Sequence, residues 1–389
     1  MPVAVFALAI AAFAIGTTEF VIVGLIPEIG ADLGVSIPTA GLLVSMYALS
    51  ITLGAPTITA LTQRLPRKAL ALGLMALFTL ANLGAALAPG FGMLLAGRML
   101  TGVAHGVFFS IGAAIATSLV DRSRASRAVS LMFAGLTVAM VIGVPLGAYI
   151  GQSLGWRAPF ALVAALGGIS LAGLAWLLPK DLPVGEPLGL GRQMALVARP
   201  RLLALYLVTV FGFGGSFVVF TYLTPMLTEV TGIAPSSVSL ALMLFGLATV
   251  AGNLAGGAAA DRMGALPALR IVLVGLVASL TALMVTQSNP WAISINLGVW
   301  GIFAFAISPI VQSAVVETAE RERPGTGAAA SGFNIAAFNL GIAGASMAGG
   351  AIVSTLGVAL TPVFAALAAL VGLAIVWRAS IGQRLALQT

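Results

Sequence analysis

Charge is what this chain has least of. Asp, Glu, Lys and Arg together make up 7% of its 389 residues, where a soluble domain carries about 25%. So few cannot cover a water-facing surface, which excludes a soluble globular protein. Cysteine is absent, which rules out disulfides and leaves the redox compartment unmarked. A single histidine, His105, leaves no Cys/His/carboxylate cluster with metal-ligand spacing. There is no G-x-x-x-x-G-K-[ST] loop to cradle a nucleotide's phosphates, which argues against an ATP-driven pump. Nothing supports an enzyme, and neither a metal nor an organic cofactor is expected; a proton is the one coupling species the residues suggest.

What is present is apolar: 60% of the residues are hydrophobic, and the mean hydropathy is +1.12. A bilayer's hydrocarbon is about 30 Å thick and takes roughly 20 apolar residues as a helix. Twelve runs of that kind lie near 3–26, 37–61, 69–88, 92–119, 128–152, 158–178, 202–228, 236–259, 267–286, 290–315, 327–354 and 358–378. They are continuous rather than alternating, so they predict helices and not a transmembrane barrel. The expected fold class is an all-α membrane protein of twelve transmembrane helices in a lipid bilayer.

Charge placement predicts orientation, because Lys and Arg concentrate in cytoplasmic loops. With both termini cytoplasmic, all of the eighteen Lys and Arg except Arg98 and Arg157 fall on the inner side. The net charge of +7 is then a topological signal and does not imply a nucleic-acid partner. No cleavable signal peptide is expected: the first apolar run is too long, lacks a charged n-region and carries Glu19.

The Pro- and Gly-rich stretch 179–200, PKDLPVGEPLGLGRQMALVARP, divides the chain into six-span halves, 1–178 and 201–389, with RQMALVA a candidate interfacial helix. The halves resemble each other. TALTQRLPRK at 59–68 and GAAADRMGAL at 257–266 align at a constant offset, Arg64 on Arg262. Gly135, Ala139, Gly143, Gly147 and Gly151 recur every fourth residue in the fifth span, as Ala337, Gly341, Ala345 and Gly349 do in the eleventh. Small residues at that spacing let helices approach closely in lipid. Two such halves predict a substrate site between them, opening alternately to either side.

These residues resemble the major facilitator superfamily over essentially the whole chain, and within it the twelve-span drug/proton antiporter branch of arabinose-efflux and chloramphenicol-resistance type. GTTEFVIVGLIPEI in span 1 is the most specific marker, and AASGFNIAAFNLG in span 11 matches the same subgroup. RMLTGVAHG in span 4 resembles the family's R-x-x-x-G motif, and GVPLGAYIGQSLGWR in span 5 its G-P-x-x-G-G antiporter motif, with Gly143, Pro145 and Gly147 expected to shape the helix. The loop between spans 2 and 3 departs from the family's G-x-x-x-D-R-x-G-R-K. Gln63 replaces the Asp, while Arg64, Arg67 and Lys68 remain. The resemblance implies that this Asp latches a gate by charge pairing, which Gln63 cannot do. The second-half copy keeps Asp261 and Arg262 and could carry that latch.

Glu19 is the residue most at odds with its surroundings, and it is the only acid placed well inside any of the twelve runs. It lies about 12 Å below Pro27 at the usual helical rise, and Arg98 lies about 9 Å into span 4 from the same side. The family fold places these helices side by side. A charge at mid-membrane costs about 2.5–3.5 kcal/mol, so Glu19 is either a proton-binding carboxylate, a static partner of Arg98, or a side chain reaching for the interface. Burial and a nearby guanidinium pull its protonation in opposite directions. Arg98 suits two roles equally, coupling to Glu19 or capping backbone carbonyls. His105 follows Arg98 by seven residues on one face and could line the cavity, relay protons or pack.

Met46, Tyr47 and Phe109, with Phe213, Phe217, Tyr222 and Gln312 in the second half, are further candidate substrate contacts; aromatic stripes in membrane helices also commonly face lipid or other helices. Asn334 and Asn339 stand about 140° apart on the helical wheel, so at most one is expected to face substrate. Glu28 and Asp32, just beyond span 1, are exposed-loop acids that could gather cations. The function expected is a proton-coupled efflux antiporter, acting as a monomer in a bacterial inner membrane on a small molecule such as a drug, a sugar or a related metabolite. The alternatives are a proton symporter or facilitator for sugar or nucleoside uptake and, more remotely, a non-transporting receptor.

Overall fold

In hydrocarbon every backbone N–H and C=O must find its partner within the protein, and an isolated apolar run achieves that only as a helix. The computed structural model describes residues 1–62, 64–121, 124–182 and 198–386, with 126 and 379–386 as backbone only. Gln63, Arg122 and residues 183–197 of the linker, with Arg192 and most of the expected interfacial helix, lie outside them. The described residues are almost wholly helical and contain no strand. Among the described residues twelve helices are long and apolar enough to cross a membrane: Val3–Gly24, Ile37–Leu61, Arg67–Ala86, Phe91–Ser118, Arg127–Leu154, Arg157–Leu177, Pro200–Phe220, Pro235–Met263, Ala265–Thr286, Pro290–Glu322, Gly327–Leu356 and Val358–Arg378. They are numbered here as spans 1 to 12.

Most limits fall within a few residues of those expected; span 10 runs on to Glu322 rather than 315, and spans 1 and 7 are broken where one α-helix was expected. The α-helix of span 1 ends at Val21, tightens into a 3-10 turn at Ile22–Gly24, and gives way to a separate short helix, Ile26–Leu33. Pro27 stands in the first turn of that helix, where its missing N–H costs nothing; in a continuous helix it would break the ladder. Span 7 was expected as one helix over 202–228. Instead an α-helix, Pro200–Val208, passes into a π-turn at Thr209–Phe213, a 3-10 turn at Gly214–Ser216 and a short α-turn, Phe217–Phe220. The cause is crowding: a Cβ on Gly214 would lie 2.4 Å from the Cα of Gly341. Apolar periodicity carries no trace of that contact.

The chain forms two compact units, Met1–Gly189 with Val238–Met243, and Leu190–Ser237 with Leu244–Thr389. Within the first, the small-residue stripe of span 5 lies on span 1. A Cβ on Gly135 would stand 2.2 Å from the Ala9 carbonyl, on Gly143 2.2 Å from Thr17 Oγ1, and on Gly147 2.4 Å from Val21. Span 5 turns through a π-segment, Ala139–Gly143, just before Pro145, which itself supplies no N–H. Within the second unit span 11 lies on span 7 in the same manner, with Gly341 against the Val210 carbonyl and Gly349 against Tyr222. The repeat seen in the sequence is thus a repeated helix contact.

These contacts separate two classes of glycine. Gly135→Ala drives a methyl into backbone and should lower thermal stability by about 1–3 kcal/mol. Gly344, with nothing within 4 Å of a Cβ, should accept Ala with no loss and a gain of up to about 1 kcal/mol from helix propensity. Thermal unfolding of the two variants in detergent checks the contrast.

Candidate functional site

The polar residues of the first unit gather where span 1 stops being an α-helix. The last four carbonyls of any α-helix lack partners within it, and here these include Thr18 and Glu19. Arg98 of span 4, 1% exposed, supplies them. Its Nη1 donates to the Thr18 carbonyl at 2.5 Å and to Thr18 Oγ1 at 3.3 Å, and its Nη2 to the Glu19 carbonyl at 3.3 Å. Nε donates to the Leu43 carbonyl of span 2 at 3.4 Å. The guanidinium also lies over the Tyr47 ring, 4.1 Å from its centroid. Of the two roles left open for Arg98, these are the bonds of a helix cap, with a cation placed at the negative end of the helix dipole. Thr18 Oγ1 in turn donates to Asn82 Oδ1 of span 3 at 2.8 Å.

The Glu19 carboxylate makes no ion pair within 4 Å of the guanidinium, which attracts it only through space; Arg98 binds the backbone of that residue instead. The nearest cationizable group is His105, whose Nδ1 lies 3.9 Å from Glu19 Oε2. The same Nδ1 shares a 2.8 Å hydrogen bond with the Tyr47 hydroxyl. Tyr47 thus joins the two residues of span 4, its ring under Arg98 and its hydroxyl on His105. Gly102, between them, allows this closeness, since a Cβ there would stand 2.5 Å from the Tyr47 carbonyl. Phe109 packs against His105 at 5.0 Å between centroids and against Phe133 at 5.2 Å, closing one side. Met46 is half-buried beside Tyr47. A half-buried carboxylate thus stands 3.9 Å from an imidazole that is itself hydrogen-bonded to a phenol, three titratable groups gathered inside the membrane spans.

The short helix after span 1 is fastened from outside. Asp32 Oδ2 accepts from Arg157 Nη1 at 2.6 Å and from Trp156 Nε1 at 2.9 Å, while Arg157 Nη2 donates to the Ala88 carbonyl at 3.0 Å. Asp32 is engaged rather than available to gather cations. The hydrogen bonds from Arg157 and Trp156 hold its carboxyl below the usual aspartate range. A lowered carboxyl stabilises the fold above its unfolded value, and that contribution is lost as pH falls through the folded one. Asp32→Asn should therefore melt slightly earlier than the parent at pH 7, and the two melting curves should merge in acid below the usual aspartate range. Glu28 differs: its Oε2 is buried without a partner, and burial pushes its carboxyl up.

In the second unit the expected contacts divide. Asn334, fully buried, accepts from Thr209 Oγ1 at 2.7 Å and donates to Gln312 Oε1 at 2.7 Å. Gln312 donates onward to Ser331 Oγ. Asn339 turns back on its own helix, Nδ2 donating to the Ile335 carbonyl at 3.0 Å, and its Oδ1 has no partner. Phe213 meets Phe338 at 4.8 Å and Phe305 at 5.2 Å. Phe217 stacks beside Phe213 at 5.7 Å. Tyr222 is tied to span 11, its hydroxyl donating to the Ser346 carbonyl at 3.0 Å, so it fastens two helices. Arg64, Asp261 and Arg262 are exposed and Arg67 is half-buried; none enters an ion pair among the described residues. Thr18, Asn82, Thr209 and Ser331 went unread in the sequence. Each is a small polar residue inside an apolar run, which is a signal, but one that back-bonding within a helix produces as readily.

A family model described as Major Facilitator Superfamily matches residues 8–330 and 205–384. The uncharacterized MFS-type transporter YtbD of Bacillus subtilis (strain 168) is 43% identical over 91% of this chain and 89% of its own. The inner membrane transport protein YdhP of Escherichia coli (strain K12) is 39% identical over 95% and 94%. A probable sugar efflux transporter of Helicobacter pylori (strain P12) is 32% identical over 91% and 89%. Among solved structures, the human organic anion transporter MFSD10 (TETRAN) superposes with a TM-score of 0.71 over 96% of this chain and 98% of that one, at 19% identity, a likeness of fold.

Proposed function

We propose a proton-coupled export function for this chain, which belongs to the major facilitator superfamily. It exchanges an external proton for a small internal solute by alternating access in a bacterial inner membrane, with both termini cytoplasmic. One observation carries this: Glu19 sits inside a membrane span with its carboxylate against His105, while the adjacent guanidinium is spent on backbone carbonyls. A carboxylate fixed in an ion pair with arginine would stay ionised through a transport cycle. One facing an imidazole and a phenol is able to load and unload a proton. Arg98 then acts by positioning, holding the end of the span-1 helix and the Tyr47 ring on which His105 depends. The printed names of the relatives support transport across an inner membrane and, for one of them, efflux of sugar.

Everted membrane vesicles containing the protein, with an acid interior, test this directly. They should accumulate radiolabelled arabinose or chloramphenicol only while the pH gradient stands, and lose it when an ionophore collapses the gradient. Proton-driven uptake of these probes by intact cells, with none into everted vesicles, would overturn export.

A further inference from the structure

One arginine inside a span of the second unit has no anionic partner. Arg270 is the sixth residue of span 9, about 7.5 Å in from Ala265 at the usual helical rise. It is half-buried, its Nε is shut away from solvent without a partner, and its guanidinium meets no carboxylate within 4 Å among the described residues. What it meets is Trp377 of span 12, which lies beside span 9: the guanidinium carbon stands 5.9 Å from the ring centroid. That is the outer limit of a cation–π contact, and it leaves the N–H donors of the guanidinium free to point elsewhere. Arg378 follows, exposed and likewise outside every ion pair of the described residues.

The acids at this end of the unit are engaged elsewhere. Glu317 pairs with Arg321, Glu322 pairs with Arg199, and Glu320 accepts from the Gly325 and Gly327 N–H groups. Asp261 is exposed and enters no ion pair among the described residues, and 379–389 contain no Asp or Glu.

The first unit supplies the comparison. Span 6 ends in Trp176 and Leu177 where span 12 ends in Trp377 and Arg378, and the sixth residue of span 3 is Leu72. Lys68, near that place, donates to the Leu178 carbonyl at 2.6 Å. A tryptophan at the membrane boundary is thus common to both halves, as membrane spans often require. The arginine over the ring and the arginine after it belong to the second half alone.

An apolar strip continues from this cluster toward mid-membrane. Val274 follows Arg270 by four residues and Leu370 precedes Trp377 by seven, so each lies on the same side of its helix and deeper in the span. Both are exposed, as are Ile271 and Val371 beside them. Two cations at the end of a span, above an exposed apolar strip, match a molecule with an anionic head and hydrocarbon tails. A zwitterionic head would bring its own ammonium toward two uncompensated guanidinium groups.

We propose that Arg270, Trp377 and Arg378 form a binding site for an anionic phospholipid. The phosphodiester lies on the two guanidinium groups, whose planar forks pair with phosphate oxygens two at a time. The acyl chains lie over Val274 and Leu370, as basic pockets between spans hold such lipids by the head. The site needs the membrane-spanning fold and is independent of the direction of transport and of Glu19.

The full chain, stripped of lipid in a neutral detergent and titrated with dioleoylphosphatidylglycerol or dioleoylphosphatidylcholine, tests this. Native mass spectrometry counts the lipids retained, and a melting curve reads their effect. The glycerol lipid should be retained and raise the melting temperature, and the choline lipid at equal concentration should do neither. Arg270→Gln should weaken the glycerol lipid roughly five- to tenfold, and Arg270→Lys, which keeps the charge and loses the fork, roughly two- to threefold. Arg378→Gln, on the exposed face, should weaken it about threefold and reads the site even where Arg270→Gln fails to fold. Arg124→Gln removes the same charge from the first unit and should change nothing.

Equal binding of the two lipids, or equal losses in Arg270→Gln and Arg124→Gln, would overturn the site. Displacement of the glycerol lipid by millimolar inorganic phosphate would reassign the arginines to a soluble anion and overturn the lipid. Binding in detergent needs neither a proton gradient nor a fixed orientation, so this proposal and the export reading fail separately.

Discussion

Glu19→Gln should leave a folded protein that binds solute and exchanges no protons. The amide has the shape of the acid and can keep its place 3.9 Å from His105, but it carries no titratable proton. Stability should hold or rise, because the substitution removes a charge worth about 2.5–3.5 kcal/mol in insertion cost at mid-membrane, and because the carboxylate forms no ion pair with Arg98 whose loss would strand that cation. In proteoliposomes the parent should acidify or alkalinise the lumen as solute moves, with the sign set by the imposed gradient. The variant should show no coupled proton movement, and any residual solute flux should be indifferent to pH. Full pH-dependent exchange by the Gln variant would assign the proton to another group. The assay separates that result from simple collapse of the fold, since the melting curve is read on the same preparation.

Much of this architecture was legible because lipid imposes one rule on every residue of a span. An apolar run of sufficient length becomes a helix whatever its neighbours do, so twelve runs became twelve helices. The breaks were less legible. Pro27 marks the outer end of the first apolar run, while the α-helix ends six residues earlier, and the carbonyls freed there explain where Arg98 goes. Equal depth put Glu19 and Arg98 side by side, but depth says nothing about which atoms of a residue are reached. The cation took the backbone of Glu19, and the carboxylate was left to His105. In the second unit the helical wheel separated Asn334 from Asn339, yet the partners of Asn334 come from spans about 125 and 22 residues away in sequence. No one-dimensional pattern records a bond between three helices. The glycine stripes were visible as a period, and their meaning, a backbone approach closer than a methyl allows, is visible only in the contacts.

Removing Arg98 should have the largest effect on stability of any single change in the first unit, and the reason distinguishes a cap from an ion pair. Arg98→Gln leaves the Thr18 and Glu19 carbonyls at a helix end inside the membrane, where each unsatisfied group costs several kcal/mol. Partial rescue by the new amide and local tightening should reduce the net loss to about 3–5 kcal/mol, in the range seen when a buried charged partner is deleted. Arg98→Lys should lie between, about 1–3 kcal/mol down, because one ammonium on a flexible stem cannot fork to carbonyls on spans 1 and 2 while facing the Tyr47 ring. The double variant Glu19→Gln with Arg98→Gln decides between the roles. Were the two an ion pair, deleting both charges would relieve the unpaired carboxylate and recover much of the loss. For a cap the carbonyls stay exposed whatever the Glu19 side chain carries, so the double variant should keep most of the loss of the Arg98 single and recover only the through-space attraction of the two charges. The two charges share one network and attract through space, so a coupling energy of about 0.5–1 kcal/mol is expected for a cap, and recovery of several kcal/mol would restore Arg98 to the role of counter-ion.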